Sequence, residues 1–172
     1  TPIAKEAFIF FVNDSNPIND LSVKQIQDIY LKKITNWQEL GGQNEEILAF
    51  QRPENSGSQT TMLAKVMGGQ ALPTHMKEEY AEGMGGVISE VAAYRNYSQA
   101  IGYSFRFYAT GMKKTEGIKL LAVEGINPSK DAIQQETYPF TVSVYAITAQ
   151  SENENTQKLI EWILSEQGQR LV

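Results

Sequence analysis

Cysteine is absent from the 172 residues, which removes disulfides, thiolate nucleophiles, iron–sulfur clusters and cysteine zinc sites together. Histidine occurs once, as His75, so any Ser-His-Asp triad or imidazole metal site would have to be built around that one ring. It lies in the polar stretch Pro73-Thr74-His75-Met76-Lys77-Glu78-Glu79 and reads as an exposed, structurally neutral side chain. Long apolar runs are missing too. The longest, Ala7 to Val12, falls far short of the roughly 20 residues a membrane span requires, and no charged region or cleavage site of a secretion signal precedes it. Basic clusters go no further than Lys32-Lys33 and Lys113-Lys114, and 15 basic against 20 acidic residues leave a net charge of -5. The broad basic face needed for phosphate backbones is lacking, so no nucleic-acid partner is expected. With 41% hydrophobic and 20% charged residues the chain has the make-up of one ordinary globular domain, not of a disordered segment or a coiled coil. It opens at Thr1-Pro2-Ile3 without an initiator Met, and a processed product or a piece of a longer protein is expected.

What is present alternates strand and helix signals. Ala7 to Val12 is short, aromatic and continuously apolar, bounded by Asn13-Asp14-Ser15-Asn16-Pro17, and predicts a strand buried on both faces. In Leu21-Ser22-Val23-Lys24-Gln25-Ile26, Ser22 can cap, Gln25 can complete a capping box and Leu21 can staple onto Ile26, so a helix to about Leu31 follows. Asn36-Trp37 and Gly41-Gly42 mark a loop, and Ile47 to Phe50 reads as a second buried strand. A Ser/Gly turn then leads into Met62, Leu63, Val66 and Met67 on one helical face. Gly83 to Gly86 leads in the same way into Val87 to Tyr94, Ala100 to Ser104 and Ile118 to Val123 read as single strands, and Asp131 to Gln135 as a short helix. Phe140 to Thr148 reads as a long strand that could cross between lobes, and Leu159, Ile160, Ile163 and Leu164 form the stripe of a last helix closing at Gly168. The alternation predicts an α/β fold with a largely parallel sheet.

The segment richest in chemistry is Arg52-Pro53-Glu54-Asn55-Ser56-Gly57-Ser58-Gln59, between a strand end and a helix start. Ser56 and Ser58 supply hydroxyl donors, Gly57 lets an oxyanion approach the backbone, and Arg52 presents a planar fork of charged donors. Together they can form the wall of a site for phosphate or sulfate. The same residues also read as a plain capping box beside a surface arginine. A Walker loop is excluded, because no Gly-x-x-x-x-Gly-Lys-Ser/Thr pattern occurs.

These motifs, in this order, resemble the PstS-like phosphate-binding proteins of bacterial ABC importers, of the type II periplasmic-binding-protein family. Thr1 to Phe8 looks like the lead-in strand of that family, and Leu21-Ser22 through Trp37 resembles its L-T-x-x-Q-x-x-I-Y-x-G-K-I-x-N-W segment. Arg52 to Ser58 is similar to the R-x-x-x-S-G-T phosphate loop, Ala100-Ile101-Gly102-Tyr103 to the A-I-G-Y strand, and Trp162 to Gln169 to the closing helix. Lys32 stands where the family has Gly, which reads as a surface detail, and Ser58 replaces Thr but keeps the hydroxyl. The first portion of the family, most of one lobe, has no counterpart here. The resemblance implies residues 1–10 as lead-in strand of an incomplete lobe, 11–139 as an anion-binding α/β lobe, and 140–172 as the returning strand and C-terminal helix of the incomplete lobe. It implies inorganic phosphate as ligand, held by Arg52, Ser56, Gly57 and Ser58, with Glu54 orienting the guanidinium and Gln59 supporting the loop. It also implies an ABC permease as partner, no covalent chemistry, no cofactor, and a place outside the cytoplasmic membrane with a lipid anchor upstream of Thr1. A carboxylate in the missing lobe would accept the phosphate proton, so this chain alone should lose discrimination against sulfate.

Gly83, Gly85 and Gly86 could form a second backbone nest at the cleft, or only a loop and helix start. Asp14 to Pro17 lacks the sixth-position Gly and distal Glu of a calcium loop, so no metal is expected. Tyr94, Tyr97, Tyr103, Phe105, Phe107 and Tyr108 read as packing rather than a stacking platform. The exposed edges and apolar face of an incomplete lobe are a motive for self-association. Two other readings are an interaction or sensory module that kept the fold without transport, and a phosphohydrolase, which lacks a nucleophile activator here.

Overall fold

The computed structural model describes residues 1–73, 98–112, 117–149 and 153–170, together with Gly86 and Ile88. The expectations for His75, Gly83, Gly85, Tyr94 and Tyr97 lie outside the described residues. In chain order these residues form β1 (Pro2–Asn13), β2 (Asp20–Leu21), α1 (Val23–Tyr30), a 3-10 turn (Trp37–Leu40), β3 (Leu48–Ala49), and α2 (Gly57–Thr61) running into a π turn (Met62–Val66). There follow β4 (Ala100–Phe105), β5 (Ile118–Leu120), β6 (Ala122–Val123), α3 (Lys130–Gln134), β7 (Thr141–Tyr145), α4 (Glu154–Leu164) and α5 (Glu166–Gln169).

The apolar run Ala7 to Val12 forms the middle of the fold, and all six residues are inaccessible to solvent. Being apolar on both faces, this stretch is stable only where layers cover both sides of the sheet. The strand order is β3-β4-β1-β5, with β7 also on β1. The first half of β1, Pro2 to Ala7, pairs with β7, while Phe8 to Val12 pair with β4 and Phe11 to Asn13 with β5. All three pairings are antiparallel, and among the described strands only β3–β4 and the separate β2–β6 pair run parallel. The expected largely parallel sheet is therefore corrected to a mixed one. Strand–helix alternation dictates parallel neighbours only where a crossover separates them, as between β3 and β4, whereas β1 runs through the centre in the opposite sense.

One face of β1 carries an aromatic cluster. Phe8 and Phe10 lie opposite Phe105 and Tyr103 in the ladder, with ring centroids 5.7 and 6.2 Å apart. Helix α1 adds Tyr30, 5.6 Å from Tyr103, and Phe140 closes on Phe10 at 6.0 Å. These are the offset and edge-on geometries that ring quadrupoles favour. The capping box of α1 forms as its sequence predicts: Gln25 N–H donates to Ser22 Oγ at 3.1 Å and Ser22 N–H to Gln25 Oε1 at 2.8 Å. The other end of the helix departs from expectation. Lys32, which reads from sequence as a surface detail, has φ +58°, the left-handed region that costs an L-residue about 1–2 kcal/mol. The helix has ended and the next N–H groups turn back onto Asp28 and Ile29 carbonyls, a stop for which Gly is the unstrained residue.

Two other boundaries differ from expectation. Ile118 to Val123 is not one strand: β5 joins the main sheet on β1, and after Leu121 the chain moves β6 onto β2 in a second, two-stranded sheet. Leu121 still donates to Phe10 O at 2.9 Å, so the switch takes place within a residue. The last helix breaks at Ser165, which ends α4 by donating to Trp162 O at 2.6 Å and caps α5 by accepting from Gly168 N–H at 3.2 Å. Gly168 thus sits inside a further turn, packed on the Trp162 and Ile163 carbonyls, rather than closing the helix. Of the predicted stripe, Ile160 is covered, while Leu159 and Leu164 are exposed, as are Trp162, Val144, Tyr145 and Ile147.

Candidate functional site

Strand β3 is only two residues long, but its direction continues through Phe50, whose N–H donates to Ile101 O at 2.9 Å, and carries Gln51 and Arg52 under cover. A turn follows in which Ser56 N–H donates to Pro53 O at 2.9 Å. Ser56 caps α2 by accepting from Gln59 N–H at 3.1 Å, and its hydroxyl lies 3.3 Å from that of Ser58. Because Ser56 Oγ accepts the cap bond, its own proton remains available for donation. Gly57 is the first helical residue and is exposed, its φ lies outside the left-handed region, and a Cβ placed on it would meet no atom within 4 Å. The backbone on that side is open to an approaching group.

Arg52 and Ser58 are buried, at 7% and 3% exposure. Burial pulls the Arg52 guanidinium below its usual value, and Tyr103 and Tyr108 oppose that shift. A cation held in such surroundings gains most from an anionic partner, since desolvation penalises the charge and a neighbouring anion restores it. The Arg52–Ser58 segment carries a guanidinium, two hydroxyls 3.3 Å apart and an open backbone, donor types suited to a tetrahedral oxyanion. Glu54 stands exposed in the turn and forms no ion pair with any described residue. Gln59 is buried and its side chain reaches the Arg52 backbone. Gly86 is half-buried and helical.

Two residues to which sequence assigns no part in the site also border this segment. Tyr103 Oη accepts from Arg52 N–H at 3.1 Å, and Gln51 Oε1 accepts from Gln59 Nε2 at 3.2 Å. Alternation along β4 marks Tyr103 as core, and it is core; the available signal was the hydroxyl, present where Phe8 and Phe10 have none. Among the described residues no group of three or more His, Asp or Glu side chains could hold a metal ion, and no helix is long and apolar enough to cross a membrane. A cavity of about 400 Å³, lined in part by Ile3, Lys5, Ile133, Gln134, Leu164 and Gln169, lies among β1, α3, β7 and the C-terminal helices and includes none of the loop residues.

The mixed sheet, with its central strand running against its neighbours, is that of a type II periplasmic-binding-protein fold. Residues 1–167 match the PBP superfamily domain, and the chain belongs to that family. It is similar to the phosphate-binding protein PstS of Bacillus subtilis, with 24% identity over 161 residues, 94% of this chain and 50% of that protein. Among solved structures it resembles a chain from Clostridium perfringens, assigned as a phosphate ABC transporter substrate-binding protein and solved with phosphate bound, at TM-score 0.77 and 28% identity. That match covers 100% of this chain and 68% of the other. PstS of Borreliella burgdorferi is 22% identical over 100% of this chain and 62% of its own length. The chain thus spans about half to two thirds of the curated relatives it matches.

Proposed function

We propose that this chain is the anion-binding part of an extracytoplasmic solute-binding protein that captures inorganic phosphate in a cleft between two lobes and presents it to the permease of an ABC importer. The observation that supports the reading is the Arg52–Ser58 loop, a strand–helix junction that carries a buried arginine, two hydroxyls 3.3 Å apart and an open glycine. The relatives are phosphate-binding proteins, one of them with phosphate bound, which supports phosphate over other oxyanions. Arg52, Ser56, Gly57 and Ser58 are the ligand-binding residues in this reading, and no covalent step is involved.

The pairing of β1 supports a division near its middle. Residues 1–10 are the lead-in strand, 11–139 the anion-binding lobe, and 140–172 the returning strand and C-terminal helices of a lobe completed by further chain. That further chain covers Val144, Tyr145, Ile147, Leu159 and Trp162, whose exposure otherwise favours self-association. A lipid anchor upstream holds the whole protein at the membrane.

The test is calorimetric titration of phosphate and of sulfate into the chain and into its Arg52→Met variant, which keeps the apolar stem and removes the charged fork. A charge-assisted bond to an oxyanion is worth roughly 1.5–3 kcal/mol, so the variant should lose about 10- to 150-fold in affinity. Phosphate and sulfate should bind the wild-type chain comparably. Equal phosphate affinity in the variant would remove Arg52 from the site, and no uptake of either anion by the wild-type chain or by a version extended upstream to complete the second lobe would refute the reading.

A further inference from the structure

Behind the anion loop lies a set of buried polar side chains that the capture of phosphate does not itself require: Gln51, Gln59 and Tyr103 are 2%, 4% and 1% exposed. They converge on a single backbone group. Past the end of β3, the Arg52 N–H lies 3.2 Å from Gln59 Oε1 and 3.1 Å from Tyr103 Oη. The Tyr103 hydroxyl donates to the same Gln59 Oε1, and Gln59 Nε2 donates to Gln51 Oε1 at 3.2 Å. The Gln59 backbone N–H is the one that Ser56 accepts at 3.1 Å. One glutamine therefore ties the start of the helix to the end of the strand, closing residues 51–59 into a ring, and the phenol fastens that ring to β4.

The phenol is itself aimed by packing. The Tyr103 ring lies 5.3 Å from Phe8 and 5.6 Å from Tyr30, centroid to centroid, in a cluster almost without solvent exposure. A loop of this length would otherwise have to be ordered when ligand arrives, and ordering is a cost that rigid pre-arrangement removes. We propose that Gln59 and Tyr103 are positioning residues for anion capture, which hold the Arg52 backbone and the Ser56–Ser58 turn in the receiving shape before any ligand is present. This inference rests on the anion-binding reading of the loop.

The test uses the chain with Tyr103→Phe, which keeps the ring and removes the hydroxyl, with Gln59→Leu, and with Gln59→Glu. Gln59→Glu preserves the acceptor for Arg52 and Tyr103. Gln51, whose Nε2 has no hydrogen-bond partner among the described residues, can then turn its amide over to donate to the new carboxylate. Amide hydrogen exchange in the ligand-free chain is the first readout. Exchange at the Arg52 amide should quicken about tenfold in Tyr103→Phe and Gln59→Leu, with α1 amides changed less than about twofold and Gln59→Glu close to wild type. Inorganic phosphate titration is the second, and the Phe and Leu variants should each lose about tenfold in affinity. Unchanged Arg52 exchange in both variants overturns the proposal, as does an equal rise throughout the chain, or a loosened loop that binds phosphate as well as wild type. A chain that takes up no phosphate, alone or extended upstream to complete the second lobe, while its Arg52 amide responds to both substitutions refutes phosphate binding and leaves the clamp standing.

Discussion

Replacing Gly57 by Ala separates the shape of the Arg52–Ser58 loop from its proposed binding of an anion. Gly57 begins α2 with a backbone conformation open to any L-residue, and an added Cβ would have no neighbour within 4 Å. The methyl is therefore accommodated without strain. A Gly-to-Ala change at such a site narrows the unfolded ensemble and stabilises by about 0.4–1 kcal/mol, which for a chain of this size raises the melting temperature by about 1–4 °C. Occupancy should move the other way. In the proposed site an oxyanion accepting from the Gly57 N–H lies about 2.9 Å from the nitrogen, and a methyl added on the open side of Gly57 would crowd it. Losing that charge-assisted bond costs roughly 1.5–3 kcal/mol, or about 10- to 150-fold in phosphate affinity. Thermal melts without phosphate and calorimetric titration with it measure the two halves on one sample. A variant that is more stable and binds phosphate as well as wild type would place the anion elsewhere. One that is destabilised by more than about 1 kcal/mol would contradict the open geometry at Gly57.

Other substitutions and a pH titration probe the packing. Lys32→Gly should raise stability by about 1 kcal/mol in urea titration, because it relieves a left-handed lysine at the end of α1; a loss would mean that Lys32 contacts outweigh the strain. Gly168→Ala should destabilise by about 1–3 kcal/mol, since its Cβ would fall 2.2 Å from the Trp162 carbonyl oxygen and 2.5 Å from that of Ile163, and a neutral melting temperature would refute the close approach. Burial raises the Tyr30 phenol well above its ordinary value, with Tyr103 adding to the shift, and burial likewise raises that of Tyr138. For a folded value above the unfolded one, this contribution to stability is fully present below the ordinary tyrosine range near 10.0 and is lost as pH rises from there toward the folded values. Alkaline titration should accordingly show the phenolate absorbance of these two tyrosines emerging together with unfolding, and their ionisation in a still-folded chain would contradict their burial.

The parts of this fold that are legible in the sequence are those set by near neighbours. Ser22 and Gln25 announce the start of α1 because both halves of a capping box lie within four residues. The double-sided burial of Ala7 to Val12 is legible because no polar residue interrupts it. Strand direction is not: the partners of β1 are chosen by topology, and nothing in a run of apolar residues encodes whether they run with it or against it. Leu121 illustrates the same limit, since an unbroken apolar stretch gives no sign that its two ends enter different sheets. At the candidate loop, Arg52, Ser56 and Ser58 stand out because their chemistry is unusual together at that spacing. Tyr103 does not, because its ring belongs to the core and its hydroxyl to the loop, and periodicity reports only the ring.

The placement of β1 has a consequence for how the chain is made. Its nearest partner in sequence, Ile101 opposite Val12, lies more than half the chain away, and Thr1 exchanges backbone hydrogen bonds with Ala146. During synthesis the strand must therefore wait for β4 to emerge from the ribosome before it can pair with any of the described strands. The waiting segment includes Ala7 to Val12, six apolar residues without charge or proline, the composition most prone to pair with other chains. Cellular yield should thus depend on what shields that segment during translation more than on the stability of the finished sheet.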